Sequence, residues 1–80
     1  MRLAAEFFVE PFAEGSPGEH VMAAVAAVES TGLSVEFGPF GNLTDGDHEA
    51  VIGAVTDAVR AALESGASRV NVTLVRLDDA

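Results

Sequence analysis

The chain has 80 residues and a mass of 8.2 kDa, which predicts a single domain over residues 1–80 because so small a core rarely divides. Four basic residues, all arginine, stand against thirteen acidic ones, and 4 − 13 gives a net charge of −9. With no lysine and no cysteine, Schiff bases, thiolate nucleophiles and disulfides are excluded, and the negative charge argues against nucleic acid as a partner.

The sequence predicts no membrane partner. No apolar run approaches the roughly 18 residues that span a bilayer. At the N-terminus, Glu6 interrupts the apolar segment before it reaches the length of a signal sequence. A cytoplasmic location is therefore the default expectation.

The first half of the chain predicts a strand, a helix and a second strand. Residues 3–12 alternate, with Leu3, Ala5, Phe7 and Val9 on one side, which is typical of a strand with one buried face. Ser16 and Glu19 form a capping-box pattern around Pro17, so a helix is expected over residues 17–31, with Gly32 behind it. Its buried stripe would be Val21, Ala24, Val25 and Val28. Residues 33–37 alternate again.

The second half repeats this order. A short strand is expected over residues 40–44, a turn over 45–47, and a helix over 48–65 that ends before Gly66. The buried stripe of this helix would be Val51, Ile52, Val55, Val59, Ala62 and Leu63. Alternation over residues 70–77 predicts the last strand. The order β-α-β-β-α-β, with short right-handed connections, predicts an α+β ferredoxin-like sandwich. Its two helices would cover one face of a four-stranded antiparallel sheet, with the first and third strands central.

The other face of this sheet would be open. If the helices cover the first set of alternating residues together with Leu33, Val35, Phe37, Val70, Val72 and Leu74, the open face holds Glu6, Phe8, Glu10, Ser34, Glu36, Asn71, Thr73 and Val75. A partly apolar open face on so small a domain predicts a homo-oligomer joined through this face, unless Phe8 simply packs against Val75. Three carboxylates and a phenyl ring together could also hold an organic cation.

The residues that could support catalysis have simpler interpretations. His20 and His48 fall in the first turns of helices, where exposed histidines are common. Asp45, Asp47 and Glu49 cluster at a predicted helix N-terminus, where acidic groups cap free N–H groups, and their spacing is not that of a calcium loop. The sequence therefore predicts no enzyme, no metal site and no cofactor.

Three segments resemble the small thiamine-binding protein family. They are residues 5–11 (AEFFVEP), 32–47 (GLSVEFGPFGNLTDGD) and 66–79 (GASRVNVTLVRLDD), matched in order over nearly the whole chain. Asn42 stands where the family usually has Thr, and Asp45 where it has Glu. The resemblance implies a ferredoxin-like fold, assembly by joining sheets, and non-catalytic binding of unphosphorylated thiamine or its hydroxymethylpyrimidine half in transport, salvage or sensing.

The resemblance, combined with the charge of the chain, implies a set of ligand-binding residues. Phe8 or Phe40 would stack on the ligand, although Phe40 could equally pack into the core. Glu6 or Glu36 would balance the thiazolium charge, and Asn42, Asn71 or Thr73 would hydrogen-bond the aminopyrimidine. A cationic vitamin suits a chain of net charge −9.

The alternative function is an oligomeric interaction or regulatory module with a different small ligand or none. Two further classes of protein share this topology, but the chain lacks the residues that their chemistry requires. An acylphosphatase-like enzyme needs an anion-binding loop with arginine after the first strand, where residues 10–14 are EPFAE. An RNA-recognition module needs basic residues near the third strand, and residues 40–44 contain none.

Overall fold

The computed structural model describes residues 1–11, 18–38 and 41–77. Its elements are β1 (Arg2–Glu10), α1 (Glu19–Glu29), β2 (Glu36–Gly38), β3 (Gly41–Asp47), α2 (His48–Glu64) and β4 (Arg69–Arg76). The four strands form one sheet in the order β2-β3-β1-β4, and every neighbouring pair is antiparallel. The predicted α+β ferredoxin-like arrangement, with the first and third strands central, is confirmed.

The central strand β1 carries the inner face of the sheet. Leu3, Ala5, Phe7 and Val9 are buried, as their alternation predicted. Phe7 and Val9 pack with residues of both helices, and Leu3 and Ala5 pack with α2. Burying a leucine, phenylalanine or valine side chain contributes about 1.5–3 kcal/mol, so β1 is a major contributor to the core.

Helix α1 packs through the predicted stripe, since Val21, Ala24, Val25 and Val28 are its buried residues. It begins at Glu19 with Gly18 at the N-cap, two residues later than predicted. Residues 16 and 17, on which the expected capping box rested, lie outside the described residues. Behind the helix Gly32 adopts φ +95°, a conformation that side chains with a Cβ rarely adopt.

Helix α2 begins where the Asp47 side chain accepts a hydrogen bond from the Glu49 N–H at 3.2 Å. Its buried residues are Val51, Ala54, Val55, Ala58 and Ala62. The predicted burial of Ile52 and Leu63 is wrong, and both are about half exposed. Each follows a buried position by one residue, which turns its side chain about 100° away from the core. Three small alanines form the contact instead, which lets α2 approach its neighbours closely.

The strand boundaries differ from the prediction at the β2–β3 ribbon. Strand β2 has three residues, and residues 33–35 contribute Leu33 and Val35 to the core without strand pairing. Strand β3 continues through the predicted turn to Asp47, because its residues pair with β1 along their whole length. The sequence GNLTDGD is rich in residues that favour turns, so the strand was not predicted over its full length. Pairing with β1 outweighs these local preferences.

The two edge strands are less covered than predicted. Phe37 was expected to face the helices, and although it is paired with inward-facing Asn42 it is 63% exposed. Val72 and Leu74 pair with buried Phe7 and Ala5, yet both are exposed. Two helices are too narrow to cover all four strands, so inward-facing positions at both edges reach solvent.

Thr44 provides a stability prediction within this core. It is buried opposite Ala5, and no hydrogen-bond partner for its Oγ1 exists in the described part of the chain. An unsatisfied buried hydroxyl costs about 1–3 kcal/mol. We therefore expect Thr44→Val to raise the free energy of unfolding by about 1 kcal/mol in urea denaturation. The matched change Thr73→Val, at an exposed threonine, should alter stability by under about 0.5 kcal/mol; equal effects of both changes would contradict this account.

Candidate functional site

The open face of the sheet carries the residues that no helix covers. Because paired residues in antiparallel strands point to the same side, the register assigns this face from the even-numbered residues of β1. It consists of Arg2, Ala4, Glu6, Phe8 and Glu10 from β1, Leu43, Asp45 and Asp47 from β3, Arg69, Asn71, Thr73 and Val75 from β4, and Glu36 from β2.

A carboxylate lies in the middle of this face. Glu6 is paired with Leu43 on one side and Thr73 on the other, and Glu36 is paired with Leu43 at the edge. At a strand spacing of about 4.8 Å, two strand steps put the Glu6 and Glu36 backbones about 10 Å apart. Glu6 is half-buried, and Ala4 and Phe8 flank it along its own strand. The carboxylates of Glu6 and Glu36 therefore lie on opposite sides of the apolar Leu43.

Neither of these carboxylates is neutralised by a neighbour. In residues 1–11, 18–38 and 41–77, no arginine or histidine lies within 4.0 Å of Glu6 or Glu36. The arginines that do reach this face are paired elsewhere, Arg2 with Asp45 and Arg69 with Glu10, each at 3.5 Å. The centre of the face therefore carries uncompensated negative charge, which attracts a cation more strongly as water is excluded.

An aromatic ring adjoins the central carboxylate. Phe8 is 41% exposed and is paired with Asn71 on β4. Toward β3, Gly41 provides no side chain, and a Cβ built there would lie 3.1 Å from the Phe7 carbonyl oxygen and 3.5 Å from Cγ of Glu6. Gly41 also adopts φ +151°. The glycine thus leaves room for the Glu6 side chain beside the Phe8 ring.

A groove of 490 Å³ lies next to Leu43 and Glu36, between residues 34–36 and strand β3. Two carboxylates, two hydroxyl residues and three apolar side chains line it: Glu36, Asp45, Ser34, Thr44, Ala4, Val35 and Leu43. One of these is Thr44, whose buried hydroxyl lacks a partner among the described residues. The groove extends the acidic surface toward the β2 edge.

The seven residues predicted from the sequence do not all come together. Glu6, Phe8, Glu36, Asn71 and Thr73 share the open face. Asn42 does not join them, because it pairs with the buried Phe7, points toward the helices and is only 7% exposed. The structure therefore places it on the other side of the sheet from these five residues, and the ligand contact inferred from the family resemblance stays a prediction. Phe40 lies outside the described residues.

Three residues of this region were missed by the sequence reasoning. Leu43 separates the two central carboxylates, and Thr44 and Asp45 line the groove. The missed signal was the length of β3. Had the strand been extended to Asp47, alternation would have placed Asp45 on the open face together with Leu43, which the predicted strand over residues 40–44 already contained.

Other chemistry finds little support in the described residues. The His20 ring hydrogen-bonds the Pro11 carbonyl, and the His48 ring lies 3.2 Å from the Met1 carbonyl. Within the same ranges no group of three or more His, Asp or Glu residues is arranged to hold a metal ion. No helix in these ranges is both long and apolar enough to cross a membrane.

Comparisons with known proteins agree with this architecture. The sequence model of a family described as "Thiamine-binding protein" matches residues 5–80. A crystal structure from Thermotoga maritima, described as a candidate thiamine biosynthesis/salvage protein, is 26% identical with a TM-score of 0.65, covering 94% of this chain and 81% of that one. No significant match is found among curated proteins.

Two further solved structures share the fold. A protein from Streptococcus pneumoniae has a TM-score of 0.77 at 17% identity, covering 98% of this chain and 89% of that one. A domain of unknown function, DUF77, from Bacillus cereus has a TM-score of 0.68 at 23% identity, covering 92% and 72%. At these identities the likeness concerns the fold alone.

Proposed function

Because the chain belongs to the thiamine-binding protein family, we propose that it binds unphosphorylated thiamine or the hydroxymethylpyrimidine moiety of thiamine. The observation that carries this proposal is the carboxylate of Glu6, which has no ion-pair partner among the described residues, on the same face as the exposed ring of Phe8 two residues along β1. Thiamine joins a permanently cationic thiazolium to an aromatic aminopyrimidine. A site for it needs negative charge next to a flat apolar surface, and the open face offers both.

The proposed arrangement assigns a function to each side of the face. The thiazolium lies between Glu6 and Glu36, where a charge pair at 4 Å is worth about 1 kcal/mol in water and about 4 kcal/mol at a partly covered surface. The pyrimidine stacks on Phe8 and is hydrogen-bonded by Asn71 and Thr73. A cation over such a ring would add about 0.5–2 kcal/mol.

A single copy of this flat face does not enclose a small molecule. Ligand sites generally bury 70–90% or more of a ligand of this size, whereas Phe8 and Val75 are both exposed here. We therefore propose that a second copy of the chain covers the open face, which makes the protein a homo-oligomer with ligand held between sheets. The exposed apolar side chains of this face support that arrangement.

The proposed function is binding without catalysis, in transport, salvage or sensing, and in the cytoplasm. The family is described as one of binding proteins. The His20 ring hydrogen-bonds the Pro11 carbonyl, and the His48 ring lies near the Met1 carbonyl and the Asp47 and Glu49 carboxylates at the end of the sheet. Recovery of unchanged thiamine after prolonged incubation, followed by NMR, is the expected result; a new product would show an enzyme.

We expect thiamine to bind at least about tenfold more tightly than thiamine pyrophosphate. The pyrophosphate brings several negative charges to a face where Glu6 and Glu36 have no ion-pair partner within residues 1–11, 18–38 and 41–77, and the sequence contains no lysine. Isothermal titration calorimetry of both ligands measures the ratio, and sedimentation velocity on the same samples reports the oligomer. Equal or tighter binding of the pyrophosphate would contradict the charge argument.

A regulatory or interaction module is the second candidate, and the exposure of β4 favours it. Val72, Leu74 and Val75 are all exposed on this edge strand in a single copy of the chain. Apolar side chains exposed in this way would be covered if a protein partner bound to β4. A flat titration for thiamine, hydroxymethylpyrimidine and the pyrophosphate, on protein shown to be folded and oligomeric, would favour this candidate over the vitamin-binding one.

A further inference from the structure

A polar cluster closes one end of the open face. Glu10, at the end of β1, is paired across the strands with Arg69 and lies one pair beyond Phe8 and Asn71. Its Oε2 accepts a hydrogen bond from Nδ2 of Asn71 at 3.3 Å and lies 3.5 Å from Nε of Arg69. Its backbone carbonyl accepts from the Ser68 N–H at 2.8 Å and from the Ser68 hydroxyl at 3.2 Å. The carboxylate of Glu10 is thus held by β4, and its backbone carbonyl by Ser68, the residue immediately before β4.

This anchoring decides the orientation of the Asn71 amide. An ionised carboxylate can only accept hydrogen bonds, so the amide must present its NH₂ group to Glu10. The reverse orientation would bring the amide oxygen against a carboxylate oxygen, which is repulsive. Arg69, 3.5 Å from the same carboxylate oxygen, is a second partner that helps to hold the Glu10 side chain in place. The Asn71 oxygen then faces away from Glu10, and no donor in the described part of the chain reaches it.

We propose that Glu10 and Arg69 are positioning residues that fix Asn71 as a hydrogen-bond acceptor beside Phe8. It follows that the group recognised at this end of the face is an N–H donor on an aromatic ring, such as the exocyclic amine of an aminopyrimidine. A ring carrying a carbonyl at the same position is disfavoured, because its oxygen meets the Asn71 oxygen. This inference rests on the proposed function for its ligand, while the orientation of the amide rests on the structure alone.

The first test needs no ligand. Asn42 and Asn71 supply the only two side-chain amides in the sequence, so a ¹⁵N–¹H spectrum contains two pairs of side-chain NH₂ signals. The pair that disappears in Asn71→Asp belongs to Asn71. We expect Glu10→Ala to move this pair to the position of a solvent-exposed asparagine and to speed its exchange with water, while the Asn42 pair stays in place. An Asn71 pair that is unchanged in Glu10→Ala would overturn the positioning by Glu10.

The second test measures ligand discrimination. Thiamine and oxythiamine differ at one ring position, where an amine is replaced by a carbonyl. We expect the wild-type protein to prefer thiamine by about tenfold or more, and Glu10→Ala to reduce the preference toward onefold because Asn71 can then rotate. The control Glu36→Ala, at the far edge of the face, should weaken both ligands while keeping the ratio.

The outcomes distinguish thiamine binding from the positioning of Asn71 by Glu10. If the wild-type protein binds neither compound, the proposed function fails, and the inference about the recognised amine fails with it. If thiamine binds and the preference survives in Glu10→Ala, the proposed function stands and the positioning inference is overturned. A tenfold preference that collapses in Glu10→Ala and persists in Glu36→Ala supports both.

Discussion

Replacing Glu6 with Gln is expected to weaken thiamine binding by about 10- to 100-fold with little effect on the fold. The side chain is half-buried on the open face between Leu43 and Thr73, and it has no ion pair in the described part of the chain. Its charge therefore serves no visible structural purpose. Glutamine keeps the shape and removes the charge, and the loss of a charged contact at a partly covered site is worth about 1.5–3 kcal/mol.

A matched control separates the local charge from the overall charge of the chain. Glu29→Gln makes the same chemical change at the exposed end of α1, away from the sheet face. Both variants have a net charge of −8, since −9 + 1 = −8. Calorimetry at about 0.15 M salt, where exposed charges are screened beyond about 8 Å, should show near wild-type affinity for Glu29→Gln. Equal losses in the two variants would mean that the ligand responds to the chain's total charge rather than to this site.

The inner side of the sheet was predictable because a single rule governs it. Leu3, Ala5, Phe7 and Val9 alternate without exception, and each is buried. The same holds for the α1 stripe, where valines and alanines recur at helical spacing. In both elements hydrophobic periodicity and burial coincide, because water is excluded from one side only.

The β2–β3 ribbon was less predictable because its local preferences disagree with its pairing. Residues 41–47 are rich in turn formers, yet they form a strand because β1 offers hydrogen-bonding partners along the whole length. The error in strand length left Asp45 in a predicted turn, although it faces outward on β3. Asn42, an inference from family resemblance, lies within the predicted strand but faces the helices, whereas Leu43 faces outward.

The extent of helix coverage was also beyond the sequence pattern. Phe37 and Leu74 have the parity of inward-facing residues, and the pairing confirms that side of the sheet. Their exposure depends on where the helices lie above the sheet, which is a property of packing between distant segments. Alternation predicts the face of the sheet to which a side chain points, but it does not predict whether a helix covers that side chain.

Phe7 and Phe8 allow the fold and the site to be tested by the same substitution at adjacent positions. Phe7 is 1% exposed and packs into the main core cluster, so Phe7→Ala should lower the free energy of unfolding by about 3–5 kcal/mol. An 80-residue domain has about 4–12 kcal/mol in total, so this change removes between about a quarter and all of the stability. Phe8→Ala removes an equal volume from the open face and should cost no more than about 1 kcal/mol.

The informative binding result comes from Phe8→Ala, because a loss of affinity in Phe7→Ala would follow from its lower stability. Phe8→Ala should stay folded in urea denaturation while thiamine affinity falls by about tenfold or more, because the ring on which the pyrimidine stacks is gone. Stability that falls equally in both variants would place Phe8 in the core and remove it from the site. Full stability with wild-type affinity in Phe8→Ala would move the ligand away from this ring, toward the groove between β2 and β3. A loss of affinity in a folded Phe8→Ala protein would assign binding to the open face, because the inner face that holds Phe7 is unchanged in that variant.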